Sequence, residues 1–471
     1  MSEPTPNPIG SSISLNAEVC ERTVVHEVGA ATALSQRLAT DGVLVLRGTY
    51  VDSSGVYRAK QVPIGRAASF NESGLGASDS WAVFAADDML CMTPSFSAVG
   101  DMRLRADLDA VVDLGDGIAW APLDLVDQDG ESKPFCPRQA LRNQVTAARK
   151  RGISVLGATE VEFTLFDSVT NRPPNGQAYA LSRLTRNEGF VDDLMASCEA
   201  AGVALEQFHA EYGPGQFELS VKPANPLAAC DLNTLVRMLI SRSARRFGYN
   251  VSFSPKPFFD SIGNGAHVHL SFLRDGIPLL SGGKGARGLT HEGERIVAGF
   301  VAALPEIVGA LASSALSILR LQPGTWSGAY ATWGLENREA AVRLCANTKG
   351  NPYGANVEIK AVDPSTNIYV AYAALIGTAL DSLDVDRPLP VEATVDPGLM
   401  SEAERVQIGA VLIAPDHATV LARFEASALM RQALGSSLVE AIVAVRQHEQ
   451  DLVNAQGIEA VAEMFQFAWS A

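Results

Sequence analysis

FHAEYGPGQFELS, residues 208–220, sets two carboxylates, Glu211 and Glu218, on either side of a Gly-Pro-Gly turn. A turn of this composition between short runs of alternating polarity reads as a β-hairpin. Glu211 and Glu218 then face each other across two strands, where like charges repel unless something cationic lies between them. Three further stretches repeat the device: ATEVEFTLF (158–166) places Glu160 and Glu162 two apart, AHVHLSF (266–272) does so with His267 and His269, and NVEIKAV (356–362) with Glu358 and Lys360. Period-two spacing puts each pair on one strand face. Taken alone, the glutamate pair also reads as a solvated outer face and the histidine pair as satisfied core or surface residues. Taken together, converging faces would gather five carboxylates and two imidazoles in one cavity, an arrangement that makes sense around divalent metal and little sense without it. Hard oxygen ligands with no cysteine among them favour magnesium or manganese over zinc, and magnesium held by carboxylates normally works on phosphates.

The remaining composition narrows the class. At 471 residues and 47% hydrophobic the chain can bury a large core, and domain-size statistics imply two or three domains. A net charge of -16 removes the electrostatic footprint of a nucleic-acid binder and disfavours anionic membrane surfaces. Cys20, Cys91, Cys136, Cys198, Cys230 and Cys345 are scattered with no CxxC pair, which argues against zinc ribbons and redox motifs and fits a reducing compartment. MSEPTPNPIGSS (1–12) has neither basic n-region nor apolar core and reads as a flexible tail; the apolar stretch 308–319 is too short to span a bilayer and reads as a packed helix. The expectation is a soluble cytoplasmic protein with small-molecule partners, no nucleic acid and no membrane.

Along the chain the expected fold class is α+β. Residues 13–117 read as a small β-grasp unit: a helix near 29–39, the strands GVLVLRGTY and GVYRAKQVP joined by a turn at 51–54, and WAVFAADDMLCM (81–92) as another strand. From 118 to 471 longer strands alternate with helices at 138–151, 190–201, 232–247, 289–303 and 306–319, and from 366 onward the pattern is almost wholly helical. Basic partners for the acids lie mostly in LRLQPGTWSGAYATWGLENREAAVRLCANTKGNPYG (319–354), which carries Arg320, Arg338, Arg343 and Lys349, with Lys360 just beyond. A single arginine is by default solvated surface, but several guanidinium forks in a Gly-, Pro- and Trp-rich segment suit a carboxylate or phosphate. Gly283, Gly285 and Gly288 fit GxGxxG but follow a turn and lack the acidic residue of a dinucleotide site, and no Walker A sequence occurs.

EVEF (160–163), HAEYGPGQFE (209–218), SPKP (254–257), GNGAHVHLS (263–271), NREAAVR (337–343) and VEIKAVDPSTNIY (357–369), in this order and at these separations, resemble the glutamine synthetase family across residues 40–470. The resemblance implies a β-grasp domain followed by a catalytic ATP- and glutamate-binding domain with a curved antiparallel sheet. It implies ATP and two or three Mg2+ or Mn2+ ions as cofactors. Glu162, Glu211 and Glu218 match the ligands of one metal, and Glu160, His267 and Glu358 those of the second. Glu206, His269, Ser271 and Arg343 fall where the family binds or orients ATP, and Gly263, Arg320, Arg338 and Lys360 where it handles glutamate and the moving phosphoryl group. Family members are typically homo-oligomers, dodecamers of two hexameric rings, with active sites between the small domain of one subunit and the large domain of the next.

The departures bear on the substrate. LGAS puts Gly76 where ammonia-using members carry an Asp, and PGTWSG puts Trp326 where they carry a flap Glu. Lys360 stands in place of an Arg, Asn356 in place of an ATP-side Arg, and Ile262 in place of an Asn that helps hold glutamate. Loss of two carboxylates that would cage ammonium, with a tryptophan wall in exchange, suits an organic amine. The expected activity is ligation of an amine to the γ-carboxylate of glutamate through a γ-glutamyl phosphate, with Arg338 and Lys360 acting on the phosphoryl group and Asp88, or else Asp79, as the carboxylate nearest the amine. The alternatives are glutamine synthesis from ammonium, an acid related to glutamate, and a non-catalytic homologue.

Overall fold

The computed structural model describes residues 28–471; the 1–12 tail and the start of the first unit lie outside them. After the helix Val28–Thr40 the chain builds a six-stranded sheet in the order Tyr57–Pro63, Val45–Val51, Ile118–Val126, Asp101–Ala106, Leu75–Ser78, with Val112–Asp113 added beside Ile118–Val126. Val45–Val51 and Ile118–Val126 run parallel and the other pairs antiparallel. Ile118–Val126 is central, so nearly all its residues are buried. The sheet therefore continues past 117, and that expected boundary falls at the edge of a strand the first unit cannot lose.

A second correction lies at 81–92. No strand forms there; a 3-10 turn at Asp79–Val83 is followed only by a single bridge between Phe84 and Leu90. The adjacent aspartates explain it. Asp87 Oδ1 accepts the Met89 N–H at 3.2 Å and Asp88 adopts a left-handed backbone at φ 65°, a local turn that competes with a ladder.

The second sheet has nine strands, in the order Tyr330–Leu335, Ala340–Cys345, Asn356–Ile359, Val268–Arg274, Ile153–Asp167, Gln216–Val221, Leu205–Ala210, with Tyr249–Ser252 and Ile277–Pro278 at its margins. All pairs are antiparallel except the first. One face is sealed by helices Pro137–Lys150, Pro226–Arg246, His291–Ile307 and Ile368–Ser382. Ile368–Ser382 is apolar nearly all round and buried almost throughout, as a helix surrounded by other elements must be. The opposite face is left open.

The expected helices at 138–151, 190–201 and 232–247 form as Pro137–Lys150, Glu188–Ala200 and Pro226–Arg246, the last opened by Asn225, whose side chain accepts the Ala228 N–H, and by Pro226 in the first turn. The expected helix at 306–319 does not form. His291–Ile307 carries Pro305 in its last turn and stops; a 3-10 turn Val308–Ala310 and the four-residue helix Ser317–Arg320 follow. Proline weakens the turn it sits in, and Ser314, hydrogen-bonded to Glu449, diverts the chain. Beyond 366 the helical run is broken by an irregular stretch from 386 to 400 containing Pro388, Pro390 and Pro397. No single described helix is long and apolar enough to cross a membrane.

Candidate active site

Register across the second sheet decides which side chains share its open face. Glu162 pairs with Glu218, which pairs in turn with His209, so these three form one row. Arg343, Glu358 and His269 form another. Within Val268–Arg274 the core-facing residues Val268, Leu270 and Phe272 are buried, while His269 and Ser271 alternate to the other side. The hairpin at 205–221 exists as expected, but Glu211 and Glu218 are not cross-strand partners. Glu211 opens the loop, and His209 stands between them, 3.0 Å from Glu211 Oε1 and 3.9 Å from Glu218 Oε1. The side chain that stands between the two carboxylates is a histidine of the hairpin itself.

Behind the turn, the buried Arg183 donates to the Glu211 and Gly213 carbonyls at 2.6 and 2.8 Å. Gln216 Oε1 accepts the Gly213 N–H at 2.8 Å, while its amide donates towards Glu162 Oε2, Gly263 O and Asn264 Oδ1 at 2.9 to 3.0 Å. Gly265 donates its N–H to Glu162 Oε2 at 2.8 Å. A Cβ at Gly265 would stand 2.6 Å from His267 Nε2 and 2.9 Å from Glu162 Oε1, so a side chain there would displace the site's own groups.

These elements enclose a cavity of about 910 Å3. Of the residues singled out in the sequence, Glu160, Glu162, Glu211, Glu218, His267, Glu358, Gly263, Arg320, Trp326, Arg338, Arg343 and Lys360 line it. His267 Nδ1 lies 2.9 Å from Glu160 Oε2 and 3.3 Å from Glu358 Oε1. Its Nε2 accepts from Arg320 Nη2 at 3.1 Å, which assigns the imidazole proton to Nδ1. Glu358 is gripped on both oxygens, by Lys360 Nζ at 3.0 Å and Arg343 Nη1 at 2.9 Å. Buried Arg320 keeps its Nη1 without an acceptor among the described residues, a guanidinium donor free to take an anionic group.

The acids do not share their charge evenly. Burial opposes ionisation of Glu160, but hydrogen bonds from His267 and His269 outweigh it and hold that carboxyl well below the usual range. Burial likewise works against Glu358, and Lys360 with both histidines pulls it down. Glu211 is lowered too, against its burial, by His209 and the Tyr212 N–H. Glu218 is pushed up to about 10, first by burial and then by the charges of Glu160, Glu162, Glu211 and Glu358. The cavity has more acid than its own cations can satisfy, which is the signature of a cation site. Three clusters bring ligand atoms within 4.8 Å of one another: Glu160, Glu218 and His267; His209, Glu211 and Glu218; Glu160, His269 and Glu358. Divalent metal fits this donor set. The grouping differs from the expected pair of triads because His209 joins Glu211, and Glu162 has one oxygen committed to Gln216 and Gly265.

Other expected residues do not line the cavity. His269 is on the open face but turned to its neighbours, Nδ1 to Asn356 Oδ1 at 2.9 Å and Nε2 3.2 Å from Glu160 Oε1, and Ser271 Oγ donates to Ala355 O at 2.9 Å. Glu206 sits at a bulge between Leu205 and Gln207 and is exposed, while Gln207 takes the inward position and reaches Glu218 at 3.3 Å. Gly76 lies on the edge strand Leu75–Ser78, its carbonyl bonded to Lys60. Asp88 is exposed and paired with Arg58 at 2.8 Å; its alternative, Asp79, is paired with Lys133 at 2.7 Å. No residue of the first sheet lines the cavity of its own chain. Sequence reasoning missed His209, Gln216, Tyr179 and Lys256, all of which do. The first two share the period-two faces of Glu211 and Glu218 and were legible by that spacing; the others stand in loops without a periodic signal.

The family model for the glutamine synthetase catalytic domain matches residues 134–464. The gamma-glutamylpolyamine synthetase GlnA3 of Streptomyces coelicolor is 38% identical over 453 residues, covering 94% of this chain and 97% of the relative. A solved glutamine synthase homologue superimposes with TM-score 0.80 at 28% identity, covering 91% of this chain and 99% of that one. The ADP complex of GmaS, 23% identical, shares the fold with TM-score 0.79 over 92% of this chain and 99% of its own. With the acidic cavity at the centre of the matched region, the chain belongs to the glutamine synthetase family of ATP-dependent carbon-nitrogen ligases.

Proposed function

We propose that the protein joins the γ-carboxylate of glutamate to an organic amine. The observation that carries this reading is the half-exposed Trp326 at the lip of an otherwise acidic and basic cavity. An indole face accommodates an alkylammonium or alkylamine chain by apolar and cation-π contact and offers ammonium little advantage. The 38% identity to a relative named for polyamine glutamylation supports the same class of acceptor.

In this reading Glu160, Glu162, Glu211, Glu218, His267 and Glu358 hold two or three Mg2+ or Mn2+ ions. When bound, such ions would neutralise phosphoryl charge. Arg320, with its unpaired Nη1, and Gly263 receive glutamate. Arg338, Arg343 and Lys360 face the phosphates, and Glu206, His269 and Ser271 support the nucleotide side. A γ-carboxylate oxygen of glutamate attacks the γ-phosphorus of ATP as the bond to ADP breaks. The amine lone pair then attacks the acyl carbon and phosphate leaves with the former carboxylate oxygen. The amine arrives largely protonated, with a pKa of about 10, and must lose a proton first. Asp88 receives that proton and Gly76 leaves room for the amine, in a ring assembly of subunits in which the first unit of one chain covers the cavity of the next. The domain division runs with this: a grasp unit that covers, and a catalytic unit that binds ATP and glutamate.

Phosphate release by the purified protein with ATP, Mg2+ or Mn2+ and glutamate, across ammonium and a panel of mono-, di- and polyamines, tests the reading. One organic amine turning over well ahead of ammonium supports it. Ammonium as the best acceptor replaces it with glutamine synthesis, and absence of release with every acceptor overturns it.

A further inference from the structure

The loop 323–328 carries Trp326 and is held in an unusual backbone. Gly324, Trp326 and Gly328 have φ of 76°, 55° and 73°. Glycine takes that region freely, whereas a bulky aromatic does so only when its surroundings impose it. Two sets of contacts do so here. Thr325 Oγ1 donates to the Arg320 and Gln322 carbonyls, at 3.0 and 2.7 Å, which ties the loop to the short helix that supplies the buried arginine. The Trp326 N–H donates to Glu339 Oε1 at 2.8 Å, and the same carboxylate takes a backbone hydrogen bond from Gly324.

Glu339 is 7% exposed and does not line the cavity. It sits between Arg338, which does, and Ala340, where the strand Ala340–Cys345 begins, and its own N–H is fixed by Asn337 Oδ1 at 3.0 Å. A buried carboxylate spent on two backbone N–H groups of one loop is a charge-assisted anchor, stronger than a neutral acceptor in its place. It needs a rigid base, and the strand end provides one.

We propose that Glu339 is a positioning residue that holds Trp326 across the cavity lip and thereby sets which amines enter. This rests on the amine-ligase reading for its substrate, but its structural part stands without it. Releasing the anchor lets the loop leave the left-handed conformation, so the indole loses its fixed place while the metal and phosphate groups keep theirs.

The test compares wild type with Glu339→Gln and Glu339→Ala, each with and without Trp326→Phe, in the full chain. Acrylamide quenching of the fluorescence lost on Trp326→Phe isolates Trp326, because Trp120, Trp333 and Trp469 are buried and the half-buried Trp81 is common to each pair of proteins compared. Glu339→Ala is expected to increase that quenching, and to raise the KM of the best amine about tenfold with the KM of ATP unchanged, Glu339→Gln falling between. In the Trp326→Phe background the added effect of Glu339→Ala on amine KM should shrink. Unchanged quenching in both Glu339 variants overturns the proposal, as does a rise in KM that is equal for amine, glutamate and ATP. If wild type turns over no amine, the substrate reading fails while the quenching arm still decides whether Glu339 positions Trp326.

Discussion

Two regions of the protein bury charge and treat it in opposite ways. At the seam between the two sheets, Arg138 reaches Asp124 and Asp231 at 2.7 Å and Asp107 at 3.1 Å, with Arg142 adding a second fork to Asp124. Nearby, Arg446 pairs with Glu449 and bonds the Ser54 and Ser365 carbonyls. Every acid in these clusters touches a guanidinium. In the cavity, Glu218 faces Glu162 across the ladder and, among the described residues, finds Gln207 at 3.3 Å and His209 at 3.9 Å. The seam is closed by the chain itself, and the cavity is left to be completed by ligands. Burial is common to both; compensation separates structure from function.

The sharpest break of this comparison is in the cavity. Glu358→Ala removes the one acid held between Lys360 and Arg343 and within 3.3 Å of His267. Phosphate release should fall by at least about a thousandfold while the circular dichroism spectrum is retained. Glu162→Ala should behave alike, and full turnover in either variant removes these residues from the metal site. Melting of the two variants should also lose most of the upward shift that Mn2+ gives wild type, since ligand binding to the folded state is what produces it.

The same operation at the seam should damage stability first. Arg138→Met leaves Asp107, Asp124 and Asp231 without the guanidinium they share, and stranding buried charges costs about 3–5 kcal/mol. Urea unfolding should show that loss, with metal-dependent activity per folded molecule preserved. Asp124 adds a pH signature: burial would raise its carboxyl, but Arg138 and Arg142 outweigh that and hold it well below the usual range. A depressed folded value means stabilisation that is complete above the unfolded carboxylate pKa of about 3.9 and is lost as pH falls below it. Acid unfolding of wild type should steepen there, and Arg138→Met should lack much of that slope.

A smaller effect separates the cavity's acids from its lip. Gly76→Asp together with Trp326→Glu restores the two carboxylates that the family resemblance finds missing. A Cβ at Gly76 meets only Arg103 Nη1, at 3.4 Å, so the edge strand tolerates the change. Relative kcat/KM for ammonium over the best amine should rise about tenfold, a methylene-scale to charge-scale change in one pocket. No shift in preference would remove both positions from acceptor choice.

What the sequence disclosed and what it hid divide along range. Alternation is local, so the inward faces of Glu160, Glu162, His267, Glu358 and Lys360 were readable residue by residue, as was the hairpin. Pairing partners are not local. Glu218 meets His209 and Glu162 because of register, and Glu206 faces out because a bulge shifts the ladder beside it. Asp88 and Asp79, the candidate carboxylates for the amine, pair with Arg58 and Lys133, 30 and 54 residues away, partners that no local pattern announces. The strand expected at 81–92 gave way to a local aspartate turn, and the helix at 306–319 to Pro305 and a serine whose partner, Glu449, lies 135 residues downstream. Composition reveals faces; only the fold reveals neighbours.

The mildest test returns to the seam, where one imidazole is buried beside the compensated pair. His417 caps the space behind Ser313, with Nε2 3.0 Å from the Ser313 carbonyl and Nδ1 3.0 Å from Gln450 Oε1. Burial lowers its pKa and the Arg446 guanidinium adds to that, while the Glu449 carboxylate and the hydrogen bonds to Ser313 and Gln450 work the other way. A lowered folded value means the neutral ring is the one that folds best, so its stabilisation is present above the unfolded histidine pKa of about 6.5 and is lost as pH falls below it. Wild-type melting temperature should therefore decline between about pH 7 and pH 5.5, well above the range where Asp124 titrates. His417→Gln keeps polar atoms towards both oxygens and cannot be protonated there, so its profile should be flatter over the same interval. A parallel decline in the variant would assign the slope to another group, and the seam's pH response would then rest on its carboxylates alone.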